Sequence, residues 1–238
     1  MLNKTKALYP TVAIFAAVEL ILGIFVQTTS GDTCTAVSYA VVVLACLFCT
    51  LFAERTRRYA FTQLALVMTV CADLFLVVIK PIYMECAMCF FSVAQLAYAA
   101  RIHLELGSPR MRRIHLAVRL ATALVAVVAV LLVLGDGADF LATITIFYFL
   151  NLVENAVFAF LNVRCGWVLP VGLLLFIGCD LFVGFANLDI YFEIERGTFL
   201  YKLAHPGFNA AWVFYVPSQA LLALSLIKRM KRGCFISA

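Results

Sequence analysis

Two aspartates in matching surroundings are the residues of this sequence best suited to chemistry. Asp73 and Asp180 each begin an Asp-Leu-Phe tripeptide deep in an apolar stretch. Two carboxyl groups that face each other at low dielectric cannot both ionise freely, so one remains a proton donor beside an ionised partner. Glycoside hydrolysis uses such a pair, in which one group protonates and the other activates water or stabilises an oxocarbenium ion. A structural polar network that holds helices together is the competing interpretation.

The stretches that carry these aspartates are hydrophobic enough to cross a membrane. Of the 238 residues, 65% are hydrophobic and 13% are charged, whereas ordinary globular domains have about 25% charged residues. A spanning helix needs about 20 mostly apolar residues, so eight spans leave only short connections. The composition predicts an all-α, polytopic membrane helix bundle with a single domain, residues 1–238. It excludes a cytosolic enzyme, a nucleic-acid binder and a secreted disulfide scaffold.

Eight apolar stretches have the length of a membrane span. They are Ala7–Gln27, Cys34–Ala53, Ala60–Ile79, Tyr83–Arg101, Leu116–Leu134, Phe140–Leu161, Trp167–Ala186 and Asn209–Ile227. Cytoplasmic loops hold an excess of Lys and Arg. Here 15 of the 18 basic residues, Arg101 and Arg119 among them, fall on one side, and only Lys80, Arg196 and Lys202 fall on the other. We therefore expect a cytoplasmic (plasma) membrane protein with both termini in the cytoplasm.

Polar side chains inside these spans are costly unless they face one another or a wet cavity. The spans carry Glu19, Asp73, Gln95, Asn151, Glu154, Asn155, Asp180, Ser218 and Gln219. Asp73 and Asp180 both fall at about the fourteenth residue from the cytoplasmic end of an outward-running span, so they share one depth. The next predicted span after each aspartate carries a glutamine, Gln95 or Gln219. This agreement suggests a parallel four-plus-four repeat, with coincidence as the alternative.

At these residues the sequence resembles the YhhN-like membrane proteins, the family that includes the animal lysoplasmalogenases. Four short motifs carry the resemblance. They are Ala72-Asp73-Leu74-Phe75-Leu76, Ala94-Gln95-Leu96-Ala97-Tyr98, Cys179-Asp180 and Tyr215-Val216-Pro217-Ser218-Gln219. The order of the motifs and the eight-span plan agree along most of the chain. Gln95 stands where the family often has histidine, and Cys179 stands where it often has serine.

The resemblance implies hydrolysis of the vinyl ether bond of lysoplasmalogens, which are alkenyl-glycerophospholipids, to an aldehyde and a glycerophospho-alcohol. It implies that Asp73 and Asp180 divide the acid and water-activating roles between them. The side chains implied to bind substrate or water are Gln95, Tyr98, Tyr215 and Gln219. Neither a metal nor an organic cofactor is implied. The expected partners are a lysophospholipid or other lipid substrate and the surrounding membrane lipids, and no nucleic acid.

Two other functions fit the same residues. A proton-coupled small-molecule transporter would use Glu19 and Glu154 as further members of a carboxylate relay. Transport sites are often built from broken helices, but Pro217 is the only proline deep in a predicted span, which argues mildly against transport. A non-catalytic lipid-binding membrane protein would need only the polar network.

Cysteines and histidines do not predict a metal centre in this sequence. The pairs Cys46/Cys49 and Cys86/Cys89 have a spacing that zinc or redox sites use. Their spans run in opposite directions, and we interpret these thiols as buried and inert. The histidines lie in links or at span ends, which argues against a haem held by two histidines within the bundle.

Overall fold

Long apolar helices dominate the computed structural model, which describes residues 2–53, 55–162 and 166–227. The helices are α1 (Leu2–Thr28), α2 (Gly31–Phe52), α3 (Arg57–Asp73), α4 (Met84–Glu105), α5 (Pro109–Leu134), α6 (Phe140–Leu161), α7 (Val168–Ala186), α8 (Phe199–Ala204) and α9 (Ala210–Leu224). Helices α1 to α7, with α3 counted together with the turn after it, are long and apolar enough to cross a membrane. Helix α9 is shorter, at 15 residues. The all-α membrane bundle is confirmed, and each of the eight predicted spans overlaps α1 to α7 or α9.

Polar residues and a proline begin several of these helices. The side chain of Thr56 accepts a hydrogen bond from the N–H of Tyr59 at 3.3 Å, and Asp139 accepts one from Ala142 at 2.7 Å. These are N-caps that satisfy backbone groups which a helix start leaves free. Pro109 opens α5, a position where the missing N–H has no cost.

Six helices form a ring, two long helices lie outside it, and the short α8 contacts α7. Each member of the series α2, α3, α4, α6, α7 and α9 contacts the next, and α9 contacts α2. Helix α1 packs on α2 and α9 from outside, and α5 packs on α6. The contacts α1–α2, α2–α3 and α3–α4 have counterparts in α5–α6, α6–α7 and α7–α9. This packing matches what a four-plus-four repeat predicts.

Aromatic packing follows the same repeat. Phe75 stacks on Phe90 with ring centroids 5.5 Å apart, and Phe182 stacks on Phe214 at 5.6 Å. Each stack joins the residue two positions after an aspartate to the residue five positions before the glutamine of the partner helix. The two halves therefore place their aspartate and glutamine helices against each other in the same way.

Gly178 allows α7 to approach α9 closely. A Cβ atom at this position would lie 2.7 Å from Cδ1 of Phe214, whose ring is held by its stack on Phe182. We expect Gly178→Ala to lower the free energy of unfolding by about 1–3 kcal/mol, the usual cost of overpacking. Unfolding in detergent micelles measures this. Gly184→Ala on the same helix, where nothing lies within 4 Å of an added Cβ, is the control, and equal losses in both variants would contradict the prediction.

Arg101 and Arg119, which the predicted spans place at the end of the fourth span and within the fifth, also lie inside helices of the structure. Arg101 lies in α4 and is only 1% exposed, and Arg119 lies within α5. Each has an acidic partner, Glu105 at 3.4 Å and Glu154 at 3.0 Å respectively. This pairing lets both arginines lie inside helices, and α4 continues to Glu105, past the predicted span end at Arg101. Seven other residues of the basic side, Lys4, Lys6, Arg164, Lys228, Arg229, Lys231 and Arg232, lie outside the described side chains.

Candidate functional site

Asp73 and Asp180 each accept a hydrogen bond from a tyrosine. Tyr215 of α9 donates its phenolic O–H to Oδ2 of Asp73 at the end of α3. Tyr148 of α6 donates in the same way to Oδ2 of Asp180 on α7. Asp73 is 2% exposed, and Asp180 is half-buried. We call these four residues the aspartate site.

Aromatic rings connect the two halves of the aspartate site. The ring of Phe176 lies 5.5 Å from that of Tyr215 and 6.5 Å from that of Tyr148, measured between centroids. Phe91 of α4 lies 5.4 Å from Tyr148 and 6.0 Å from Phe176. This wall of rings lowers the local dielectric, which strengthens the hydrogen bonds that the carboxyl groups accept.

Helix α3 changes its winding directly after Asp73. Residues Leu74–Val78 form a π-helical turn, and the N–H of Ile79 bonds to the carbonyl oxygen of Leu74 at 2.9 Å. π-helical turns are rare and occur often at functional sites. Asp73 therefore lies at a joint in its helix rather than in a continuous span.

The tyrosine bonds differ in their expected contribution to stability. We expect Tyr215→Phe to lower the free energy of unfolding by about 1–3 kcal/mol, because it leaves the buried carboxyl of Asp73 without a donor. Tyr148→Phe should cost less, since Asp180 is half-buried and its carboxyl depends less on the phenol than the buried carboxyl of Asp73 does. Tyr98→Phe is the control because the Tyr98 hydroxyl is buried without a hydrogen-bond partner among the described residues. Unfolding in micelles distinguishes the three, and a Tyr98→Phe loss as large as that of Tyr215→Phe would contradict the assignment.

Of the four predicted substrate-binding residues, Tyr215 bonds directly to an aspartate. Gln219 follows Tyr215 by one turn of α9, and on α4 Gln95 and Tyr98 follow Phe91 by one and about two turns. All three are fully buried. Nε2 of Gln95, the hydroxyl of Tyr98 and both amide atoms of Gln219 have no partner within the described part of the chain. These atoms can each still form a hydrogen bond, but no bond joins them to the carboxyl groups.

Sequence reasoning missed Tyr148. The sequence pattern could have identified this residue, because Tyr148, Asn151 and Asn155 follow one another at helical spacing on one buried face of α6. Glu154, which a transporter would use in a carboxylate relay, pairs with Arg119. Glu19 of α1 is 2% exposed, and neither of its carboxyl oxygens has a partner in the described ranges.

The thiols differ from expectation at one pair. Cys49 is buried and Cys46 half-buried, but Cys86 and Cys89 are exposed, so the prediction of buried thiols is wrong for the second pair. Both thiols lie in the first two turns of α4, whereas most of the buried residues of this helix lie from Phe91 onward. Among the described residues no group of three or more His, Cys, Asp or Glu side chains is arranged to hold a metal ion.

A comparison with protein-family models matches residues 33–226 to the YhhN family. The match contains every residue of the aspartate site, and it covers most of the chain. No curated protein and no solved structure matches the chain. From the family match we conclude that the chain belongs to the YhhN family.

Proposed function

We propose that this protein is a lysoplasmalogenase-like hydrolase that cleaves the vinyl ether bond of a lysoplasmalogen. The observation that carries the proposal is the aspartate site, in which two carboxyl groups each accept a bond from a phenol and the ring of Phe176 lies between the two phenols. Family membership supports a lipid substrate, since the YhhN-like proteins include the animal lysoplasmalogenases. The partner we propose is therefore a lysophospholipid taken from the membrane.

The chemistry of an enol ether needs one proton donor and one proton acceptor. A carboxylic acid adds its proton to the second carbon of the alkenyl chain, and an oxocarbenium ion forms at the carbon that bears the ether oxygen. A water molecule adds to that carbon, and the other carboxylate takes a proton from this water as it adds. The second aspartate, now protonated, gives its proton to the glycerol oxygen while the first, now ionised, takes the proton of the hemiacetal hydroxyl. The bond between this carbon and the glycerol oxygen breaks, the glycerol leaves as an alcohol, the aldehyde remains, and both aspartates regain their starting states. Asp73 and Asp180 supply these two carboxyl groups, and the reaction consumes one water.

Release of fatty aldehyde by the purified protein in liposomes tests this proposal. A lysoplasmalogen should yield aldehyde, whereas its saturated alkyl ether analogue and an acyl lysophospholipid should yield none. The saturated ether has no double bond to protonate, so it cannot form the cation by this route. If folded protein released no aldehyde across pH values and headgroups, the proposal would be wrong.

We also propose the orientation that the basic residues predict, with both termini in the cytoplasm and the bundle in the cytoplasmic membrane. The support is the division of 15 basic residues against three between the two sides of the spans. Labelling of single-cysteine variants at the termini with a membrane-impermeant thiol reagent tests it. A terminus that reacts from outside intact cells would contradict this orientation.

Proton-coupled transport is the second candidate, and one observation favours it. The π-helical turn beside Asp73 is a local break of the kind that transport sites use. A transporter would move protons and a solute across liposomes without releasing aldehyde. Proton flux measured with a pH-sensitive dye in the same liposomes separates it from the hydrolase.

A further inference from the structure

A chain of polar side chains leads from α5 through α6 to Gln95 on α4. Nη1 of Arg119 lies 3.0 Å from Oε2 of Glu154, and Nη2 donates to Oδ1 of Asn155 at 2.5 Å. Nδ2 of Asn155 then donates to Oε1 of Gln95 at 3.0 Å and to the backbone carbonyl of Gln95 at 2.8 Å. We call Glu154, Arg119 and Asn155 the positioning chain.

The direction of every bond in the positioning chain is set by Arg119. A guanidinium group has N–H donors and no acceptor, so Asn155 must turn its oxygen toward Arg119. The –NH₂ group of Asn155 must then face Gln95, and Gln95 must accept this bond with its side-chain oxygen. The –NH₂ group of Gln95 therefore points away from Asn155, and the usual ambiguity between the two ends of an amide does not arise.

The –NH₂ group of Gln95 is a buried hydrogen-bond donor without an acceptor in the described part of the chain. Gln95 is fully buried and its Nε2 has no acceptor among the described residues. A buried donor without an acceptor costs about 1–3 kcal/mol. Tyr98, which follows three residues later on the same side of α4, also has a buried hydroxyl without a partner in this part of the chain. Gln95 and Tyr98 therefore present two neighbouring polar groups on one side of α4, and neither group has a hydrogen-bond partner among the described residues.

We infer that the positioning chain holds Gln95 as a fixed hydrogen-bond donor for an oxygen of the bound lipid. The inference rests on the proposed function in one respect, since it assigns that oxygen to the glycerol-phosphate headgroup of a lysophospholipid. Gln219, the repeat counterpart of Gln95, differs because neither of its amide atoms has a partner in the described ranges. Its amide can turn to present either end, so selectivity for an acceptor comes from Gln95.

Asn155→Asp tests the inference because it reverses the bond to the Gln95 side chain, removes the bond to the Gln95 carbonyl and keeps the shape of the side chain. An aspartate at position 155 still accepts from Arg119 but cannot donate to Gln95. The Gln95 amide then turns its –NH₂ group toward the new carboxylate and its oxygen toward the ligand. We expect the Kd for a radiolabelled saturated alkyl-ether lysophosphocholine, which cannot be cleaved, to rise by about tenfold, which corresponds to about 1.4 kcal/mol.

Asn151→Asp is the matched control. Asn151 lies one turn away on α6, and its Oδ1 accepts from Nη1 of the same Arg119 at 2.7 Å. Its Nδ2 donates to the carbonyl of Phe147 in its own helix at 2.8 Å and does not reach Gln95. The control therefore adds the same charge beside the same arginine without altering the Gln95 amide. We expect its Kd for the probe to match that of the natural protein.

Gln95→Glu gives a second route should the Asn155 variant fail to fold. It keeps an oxygen for Asn155 and removes the donor that faces the ligand, so the Kd should rise by at least as much. Equal binding by the natural protein and by Asn155→Asp or Gln95→Glu would overturn the inference, as would no binding of the probe by the natural protein. The binding and activity measurements can also separate the inference from the proposed function. If Asn155→Asp binds the probe more weakly than the natural protein does, but lysoplasmalogen yields no aldehyde, the inference stands and the proposed hydrolysis fails.

Discussion

Asp73→Asn is expected to abolish aldehyde release from lysoplasmalogen while the protein stays folded. Asparagine has nearly the same shape and its carbonyl oxygen can still accept the bond from Tyr215, so the site keeps its geometry. It can neither give nor take a proton at neutral pH. General acid or base catalysis by one side chain contributes about 10²- to 10⁴-fold to a rate, and we expect a fall of about that size. The measurement is the initial rate of aldehyde formation at equal amounts of liposome-embedded protein.

Asp139 provides a matched control outside the aspartate site. Its two carboxyl oxygens accept from the hydroxyl of Tyr191, each at 3.1 Å, in another aspartate–tyrosine pair. Burial and the bond to Asp139 raise the pKa of Tyr191 to about 12, so its phenol stays protonated and keeps donating. Asparagine is also a good N-cap, and α6 should still begin at Phe140. Asp139→Asn should therefore keep full activity.

Asp180→Asn should behave like Asp73→Asn, and the double variant should be little worse than either single one. Residues that act as a unit in one reaction give non-additive losses. Full activity of a folded Asp73→Asn protein would show that the paired carboxyl groups do not carry the reaction. Multiplied losses in the double variant would show instead that the two aspartates act independently.

Hydropathy was sufficient to predict the helices but not where each one stops. Helix α6 begins and ends at the predicted residues, Phe140 and Leu161, because both ends of that span are marked by polar neighbours. Helix α4 continues four residues past its predicted end at Arg101, because Arg101 pairs with Glu105 in the next turn, and α5 begins at Pro109 instead of Leu116. Hydropathy places a span end at a charged residue, whereas an ion pair with an acidic residue four positions away lets the helix continue.

The aspartates could be predicted to share a depth, but their tyrosine partners could not be predicted. Asp73 receives its bond from α9 in the other half of the bundle, whereas Asp180 receives its bond from α6 in its own half. The repeat therefore gives no rule for finding the tyrosines. The repeat also predicts that Gln95 and Gln219 are equivalent, and the contact with Asn155 makes them different. Repetition in sequence determines backbone placement, while the side chains of neighbouring helices determine the chemistry.

Arg101→Met is expected to give the largest loss of stability of the substitutions considered for this bundle. Nη1 of Arg101 donates to Thr62 of α3 at 3.0 Å and to Ser225, just after α9, at 2.6 Å, and its Nε lies 3.4 Å from Glu105. One side chain thus joins three helices at one end of the bundle. Removal of one partner from a buried ion pair costs about 3–5 kcal/mol, because the other charge stays buried without compensation. Unfolding of the purified protein in micelles measures the loss.

Substitutions at Arg58 and Glu105 separate the part of that loss which comes from the unpaired charge of Glu105. Arg58 lies 3.8 Å from Glu105 but its side chain is 55% exposed, so Arg58→Met should cost no more than about 1 kcal/mol. The double variant Arg101→Met with Glu105→Gln removes the uncompensated charge, and it should be more stable than Arg101→Met alone. If the double variant is no more stable, the loss comes from the bonds to Thr62 and Ser225, and Arg101 acts as a connector between helices rather than as the counter-ion of Glu105.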